Sequence, residues 1–128
     1  MSLTVPTDLL DQAKAGEVDD PAFIACVRDS LPYAWSLISG LAEQRERSGA
    51  KFADNQVPPP SEEARGQLLR CLASDAMRGA LERHFGVRLA FQNCHRVAVF
   101  DPTATEALRD FVTPRAQILN QKPELVDC

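Results

Sequence analysis

The stretch VRLAFQNCHRVAVF, residues 87–100, decides the class of fold that this chain adopts. Its two ends, residues 87–91 and 96–100, alternate side chains in the manner of strands with one buried face. The polar residues between them suit a tight connection, and Asn93 tolerates the left-handed geometry that such turns need. The pattern predicts a β-hairpin. Because a lone hairpin is marginally stable in water, we expect it to pack on helices or to extend the sheet of another chain.

The turn of this hairpin sets Cys94 beside His95, the pair that most resembles a chemical site. Neighbouring side chains on a strand point to opposite faces, so the two could act as nucleophile and base only within a turn. A reactive thiol also needs an electropositive setting, for which His95, Arg88 and Arg96 are the candidates, and no orienting carboxylate is identifiable. The pattern favours a structural turn. The alternative is a small thiol-dependent enzyme or redox sensor centred on Cys94 and His95.

Two longer segments have the apolar spacing of helices. The first covers residues 21–47, where Asp20 fits the N-cap and Pro21 the first helical position. Its apolar residues keep one register across Pro32, which predicts a single helix kinked near that proline. The stripe consists of Ile24, Val27, Leu31, Ala34, Trp35, Ile38 and Leu41.

The second helical segment covers residues 61–85, where Ser61 fits the N-cap and Gly86 a C-terminal stop. Many residues on its stripe are small, so a neighbouring helix could approach closely. We expect this helix to be central and Leu72→Asp to place an unpaired charge in its buried face. The stripe consists of Ala64, Leu68, Leu69, Leu72, Ala76, Met77, Ala80 and Leu81.

Shorter elements are expected around these two helices. Three consecutive prolines favour an extended conformation, so residues 49–60 are interpreted as a proline-rich connector within the domain, with a strip that binds a partner as the alternative. The final NQKPELVDC is expected to lie extended over the surface, anchored by Leu125 and Val126. Start signals for short terminal helices are Thr7, the capping-box pair Thr103 and Glu106, and Thr113 with Pro114.

Together these elements predict one α+β domain over residues 1–128. A chain of 128 residues has the size of a single domain with one core. We expect a mostly helical domain with two principal helices, one antiparallel β-hairpin and short terminal helices.

Composition and charge narrow the classes of function. A formal net charge of −4 argues against a general nucleic-acid binder, because phosphate contacts need a concentrated positive surface. No apolar run approaches the length of a bilayer span, and the first residues do not resemble a signal peptide. We therefore expect a cytoplasmic protein whose four cysteines are thiols. The cysteine spacing and the two histidines predict no metal site, and no cofactor is expected.

Three arginines are a weaker candidate site for an anionic ligand. These are Arg65, Arg70 and Arg88, for which a phosphate or an acidic partner would be the ligand. Helical geometry directs Arg65 and Arg70 to different faces, so the helix carries no basic stripe. Solvated side chains with nearby carboxylates such as Glu62 and Glu82 as partners are the favoured interpretation.

The segments FADNQVPPP and EARGQLLRCLASDAMRGALERHFGVRLAFQNCHRVAVF resemble a family of small uncharacterised proteins found in actinobacteria, and the terminal PELVDC is similar too. The likeness covers most of the chain. That family has no assigned reaction or ligand. The resemblance therefore implies a bacterial cytoplasmic setting and carries over no catalytic residue.

The sequence contains none of the common catalytic motifs: no G-x-G-x-x-G, phosphate loop, H-E-x-x-H or G-x-S-x-G occurs. We predict a non-catalytic protein-interaction or regulatory module that binds a protein partner or another copy of itself. The hairpin would supply the contact through one edge or its second apolar face. The contact residues expected there are Phe91, Arg96, Ala98 and Phe100, and Ala98→Lys is the charged variant expected to disturb the contact.

Overall fold

The computed structural model describes residues 3–121 of the chain. Within that range seven helices surround a sheet of three strands, which confirms the α+β class. The predicted tail anchors, Leu125 and Val126, lie outside the described residues. In chain order the elements are α1 (Thr7–Lys14), α2 (Asp20–Ser30), α3 (Pro32–Ser48), β1 (Phe52–Asp54), α4 (Glu62–Leu72), α5 (Asp75–Phe85), β2 (Arg88–Gln92), β3 (Arg96–Phe100), α6 (Thr105–Phe111) and α7 (Pro114–Leu119).

The strands form one antiparallel sheet in the order β1-β3-β2, with β3 in its centre. β2 and β3 are the predicted hairpin, and Arg88 pairs with Phe100 in its register. On the other side of β3, Phe52 of β1 pairs with the same Phe100. β1 lies within residues 49–60, so the segment interpreted as a connector also contains a strand that its sequence did not predict. One edge of the hairpin is therefore closed by the chain itself.

The first principal helix is divided into α2 and α3, which meet at Leu31. This residue has φ −128° and ψ 64°, outside the helical region, because the ring of Pro32 disfavours helical geometry in the residue before it. The prediction of one kinked helix is thus wrong at this point. The apolar register nevertheless survives the break: every residue of the predicted stripe is buried apart from Trp35, which is partly exposed.

The break at Leu31 leaves the first amides of α3 without a cap from their own segment. Gln67 of α4 supplies the missing acceptor, since its Oε1 accepts the Tyr33 N–H at 2.7 Å and the Ala34 N–H at 3.2 Å. The side chain of Gln67 is buried, and a buried amide without such partners would be costly. One glutamine therefore joins α4 to the start of α3.

The second principal helix is likewise divided, into α4 and α5. Ser74 caps α5 by accepting the Met77 N–H at 3.2 Å, and an N-cap side chain of this kind begins a new helix. The carbonyl of Leu72, at the end of α4, accepts a hydrogen bond from Arg78 Nη1 at 2.9 Å. Leu69, one of the predicted stripe residues, is 43% exposed. Another stripe residue, Ala76, is exposed as well.

Helix capping agrees with the sequence in part. Ser61 and Thr113 cap α4 and α7 as predicted. Asp19, one residue before the expected Asp20, caps α2 by accepting the Ala22 N–H. The capping box at Thr103 is wrong: α6 begins at Thr105 without a side-chain cap, since the Thr103 hydroxyl donates to Asp101 Oδ1 at 2.6 Å instead.

The sheet separates two clusters of buried side chains, because alternate residues of a strand face opposite sides. Val97 and Val99 of β3 face a large cluster formed with α2 to α5, which we call the inner core. The opposite face of the sheet is covered by α6, and the cluster beneath it is the outer core. The outer core consists of Ala90, Ala98, Phe100 and Phe111.

Candidate functional site

The Cys94-His95 pair lies in the hairpin turn, as its sequence predicts. Asn93 and Cys94 have φ values of 54° and 48°, and the His95 N–H donates to the Gln92 carbonyl at 3.3 Å. Positive φ at both central positions is the geometry of a type I′ turn, whose twist suits a hairpin. The turn therefore has a structural explanation that requires no chemistry from its side chains.

The His95 ring is buried, with 2% of its surface exposed. Its Nδ1 lies 2.6 Å from the Asn93 carbonyl, which fixes the proton on that nitrogen because a carbonyl oxygen can only accept. Nε2 is buried and has no hydrogen-bond partner among the described residues. Cys94 is disulfide-bonded, so its sulfur is not a free nucleophile in this structure. None of these contacts supports a thiol-dependent reaction.

Two other cysteines, Cys26 and Cys71, are free and buried. The Cys26 Sγ donates to the Thr4 carbonyl at 3.4 Å. Burial raises the pKa of Cys71 to about 11, against a small opposing effect of the Arg70 charge. Cys71 therefore remains a protonated thiol at neutral pH. The expectation that all four cysteines are thiols does not hold for Cys94.

The four predicted contact residues have different surroundings. Ala98 and Phe100 are fully buried within the chain, and the Phe100 ring contacts those of Phe52 and Phe111 at centroid distances of 5.2 Å and 5.6 Å. Arg96 Nη2 forms an ion pair with Asp54 Oδ2 at 2.8 Å. Phe91 is partly buried at the edge of the inner core. Of these four residues, Phe91 and Arg96 therefore retain exposed surface, and Phe91 is the apolar one.

The burial of Ala98 also changes the interpretation of the Ala98→Lys variant. A lysine at a site with 0% exposure would place a charge in the outer core. The variant would test the fold instead of a surface contact.

The three candidate arginines do not form one site. Arg65 faces Glu62 at 4.0 Å, and Arg70 is exposed elsewhere on α4. Arg88 on β2 lies beside a groove that includes Arg78 but neither of the other two. An anion site built from Arg65, Arg70 and Arg88 together finds no support in this arrangement.

The outer edge of β2 can be assigned from the hydrogen bonds of β3. The Val97 N–H donates to Asn55 Oδ1 at 2.8 Å, and the Val97 carbonyl accepts the Asn55 N–H at 3.3 Å, so Val97 bonds on the β1 side. Bonding directions alternate along an antiparallel strand, so the residues on either side of Val97 bond to β2. By the same alternation, Leu89 and Phe91 direct their backbone groups away from β3. They form the outer edge of the sheet.

A groove of about 390 Å³ lies along this edge, between the junction of α4 with α5 and the helix α6. We call it the β2 groove. No strand of residues 3–121 pairs with the edge that it borders. Its lining residues are Leu72, Arg78, Arg88, Leu89, Ala90, Phe91, Leu108 and Val112.

Glu82 of α5 reaches the edge of β2 from outside this lining. Its Oε2 accepts the Leu89 N–H at 2.8 Å and lies 3.6 Å from Arg88 Nε. A side chain thus satisfies an edge amide that would otherwise be available to a neighbouring strand. Gly86, in a left-handed conformation with φ 65°, ends α5 and turns the chain back so that β2 runs beside the last turn of the helix.

Sequence reasoning identified two of the groove residues, Arg88 and Phe91, and missed its other parts. Arg78, Leu108 and Val112 come from helices whose relative placement is not encoded in any local pattern. Glu82 was recognised only as a surface partner for arginines. The available signal was the Gly86 stop, which places the end of a helix directly before a strand.

Two negative findings limit the kinds of site within the described part of the chain. No helix there has the length and apolar character that crossing a membrane requires. No group of three or more His, Cys, Asp and Glu side chains among residues 3–121 is placed to hold a metal ion.

Comparison with known proteins gives the chain a family. A family model described as "NucS shadow ORF" matches residues 1–128. No curated protein and no solved structure matches the chain. The description of the family states no reaction and no ligand. Since the match covers every residue, the chain belongs to the NucS shadow ORF family.

Proposed function

We propose that this chain is a non-catalytic protein-interaction module that binds a protein partner, or a second copy of itself, at the β2 groove. The observation that carries the proposal is the position of this groove along the outer edge of β2, where the ladder of described strands ends. Proteins commonly bind an extended segment of another chain at a strand edge that lies beside an apolar groove.

The rest of the hairpin is occupied by the chain itself, which directs the proposal to this edge. β1 covers the free side of β3, and α6 with Phe111 covers the second apolar face. Of the contact residues expected from sequence, Phe91 lines the β2 groove, whereas Ala98 and Phe100 belong to the interior.

An exposed apolar side chain lies at the rim of the groove. Val112, at the end of α6, lines the groove and is 59% exposed. A single exposed valine is common on protein surfaces, so its position at the groove, and not its exposure alone, is what matters here. Val112 is therefore the residue best suited to testing the contact without disturbing the fold.

We also propose an actinobacterial and cytoplasmic setting, which the sequence resemblance supports; the disulfide at Cys94 is an exception to the usual state of cysteines in that compartment. The words "shadow ORF" describe a reading frame and not an activity. Detection of peptides from this chain by mass spectrometry of the host would establish that the protein is made there. This measurement precedes any capture of partners.

The contact can be tested with two matched variants. Val112→Asp places a charge at the groove, and Ile118→Asp places the same charge at an exposed residue of α7 outside the groove lining. Mass by light scattering reports self-association, and crosslinking in host extract reports partners. We expect Val112→Asp to abolish the association or the crosslinks and Ile118→Asp to leave them unchanged.

If Ile118→Asp abolished the association and Val112→Asp left it unchanged, the contact would lie on α7 and the proposal would be overturned. A monomeric wild type that captures no partner, or one whose captured partners are unchanged by Val112→Asp, would overturn it as well. Circular dichroism of both variants is the control, because each substitution affects a largely exposed side chain and should preserve the fold.

A further inference from the structure

We propose that the occupant of the β2 groove is an extended segment of another protein that carries carboxylate side chains, and that Glu82 occupies its place in the free chain. This inference rests on the proposed function and adds the chemistry of the partner. Two features of the surroundings of β2 support it. The arginines of the groove suit an acidic ligand, and Glu82 already binds where that ligand would bind.

The charge of the groove differs from that of the chain. The whole chain has a formal net charge of −4, yet the groove lining contains two arginines and no carboxylate. Its other six lining residues are apolar. A ligand with apolar side chains and carboxylates complements such a lining in both respects.

Both arginines of the groove already face carboxylates at its margin. Arg78 Nη2 lies 2.6 Å from Asp75 Oδ1, and the Asp75 side chain is 93% exposed. Arg88 Nε lies 3.6 Å from Glu82 Oε2, with the Arg88 side chain 55% exposed. The other member of each pair is partly buried, with the Arg78 side chain 34% and the Glu82 side chain 22% exposed. An incoming carboxylate would therefore replace Asp75 or Glu82 as the partner of an arginine that stays in place.

The same charges disfavour a second copy of this chain as the occupant. In a two-fold contact the same patch meets itself, and its carboxylates, Asp75 and Glu82, are already paired with its own arginines. A second copy therefore brings no additional carboxylate from this patch to the groove. The partner is therefore a different protein.

Glu82 makes the contacts that such a partner would make. A strand added to β2 would accept the Leu89 N–H with a backbone carbonyl, and its carboxylate would pair with Arg88. The Glu82 carboxylate performs both roles within the free chain, at 2.8 Å and 3.6 Å. It therefore competes with the partner and also protects the edge from unspecific pairing.

The experiment uses the full chain and two short acetylated peptides, one of alternating valine and glutamate and one of alternating valine and lysine. Titrations followed by amide NMR report the affinity and the place of binding. We expect the glutamate peptide to shift the amides of Leu89 and Phe91 and to bind about tenfold more tightly than the lysine peptide. Added salt should reduce that difference.

Three variants sharpen the experiment. Arg88→Gln should weaken binding of the glutamate peptide several-fold, whereas Arg70→Gln, an exposed arginine of α4, should not change it. Glu82→Gln keeps an oxygen for the Leu89 N–H and removes the competing charge, so it should bind the glutamate peptide more tightly than the wild type.

Equal affinity for the two peptides, shifts away from β2, or unchanged binding by Glu82→Gln would each overturn the inference. These outcomes differ from failure of the proposed function. If Val112→Asp still abolishes partner capture while the peptides show no charge preference, the groove is a contact but its ligand is not acidic. If Val112→Asp has no effect on capture, the groove itself is not the contact.

Discussion

The two faces of the sheet bury the same strand in different ways. Val97 and Val99 of β3 lie against four helices in the inner core, whereas Ala98 and Phe100 lie beneath α6 in the outer core. All four residues have 0% of their surface exposed. Equal burial therefore does not mean equal packing, because the inner core is a thick layer and the outer core depends on one short helix and the ring of Phe111. We therefore expect the loss in free energy of unfolding on mutation to depend on how many elements pack over each face, and not on the exposed fraction alone.

The largest effect is expected in the inner core. Leu72 is 2% exposed at the end of α4, so Leu72→Asp buries an unpaired charge and should cost about 4 kcal/mol or more in the free energy of unfolding. Chemical denaturation measures the change. Leu69→Asp is the matched control, since Leu69 is 43% exposed and should tolerate the charge. Similar losses in the two variants would show that the buried face of α4 is assigned wrongly.

A smaller and more local effect is expected in the outer core. Phe111→Ala should remove about 3 kcal/mol of packing beneath α6, because a large buried ring is replaced by a methyl group. Native-state hydrogen exchange should show faster exchange in α6, with less change at Val97 and Val99. If amide exchange became faster to the same degree in α6 and at Val97 and Val99, the two faces of the sheet would open as one unit and the comparison would be wrong.

The next prediction concerns the buried side-chain amide of Gln67, which joins α4 to the start of α3. Gln67→Leu leaves the N–H groups of Tyr33 and Ala34 without their acceptor and should cost about 2 kcal/mol in the free energy of unfolding. Gln44→Leu, at an exposed position of α3, should change stability by less than about 0.5 kcal/mol. Equal effects would mean that the first turn of α3 has another source of stability.

The smallest effect concerns acid stability where the chain leaves β3 for α6. The Thr103 hydroxyl, then the Thr103 N–H and the Arg45 charge, hold the pKa of Asp101 below its usual range despite partial desolvation. A lowered pKa stabilises the fold above the usual pKa of the group, and this contribution is lost as the pH falls through the lowered value. Asp101→Asn and Thr103→Val should both flatten the dependence of the urea midpoint on pH in this acidic range. If the urea midpoint of either variant depended on pH as strongly as that of the wild type, Asp101 would not be a source of the acid dependence.

The sequence predicted best the features that are set by neighbours along the chain. The hairpin was predicted because alternation and the turn residues lie within residues 87–100, and the buried stripe of α2 and α3 because helical spacing persists across Pro32. Helix stops were harder. Pro32 and the N-cap Ser74 each give a local preference for a break, but a preference of this kind does not by itself show whether a long helix divides.

The remaining features depend on contacts between distant segments. β1 has three residues, too few for a clear alternation, and becomes a strand because Ala53 and its neighbours pair with β3. The buried amide of Gln67 has its partners more than thirty residues away. The β2 groove combines four elements in the same way. The sequence led to the hairpin as the region of interest, but it could not show which of its edges the chain keeps for itself.

The central position of β3 has a consequence for the order of folding. β2 and β3 are joined by a short turn and can pair within microseconds, whereas β1 must close a loop that contains α4, α5 and β2 before it reaches β3. Until that closure, the second edge of β3 is a row of unpaired backbone groups on an apolar strand, the kind of edge that recruits other chains. We therefore expect the short β1 to dock late in folding, and refolding at high protein concentration to be most prone to aggregation in the interval before it docks.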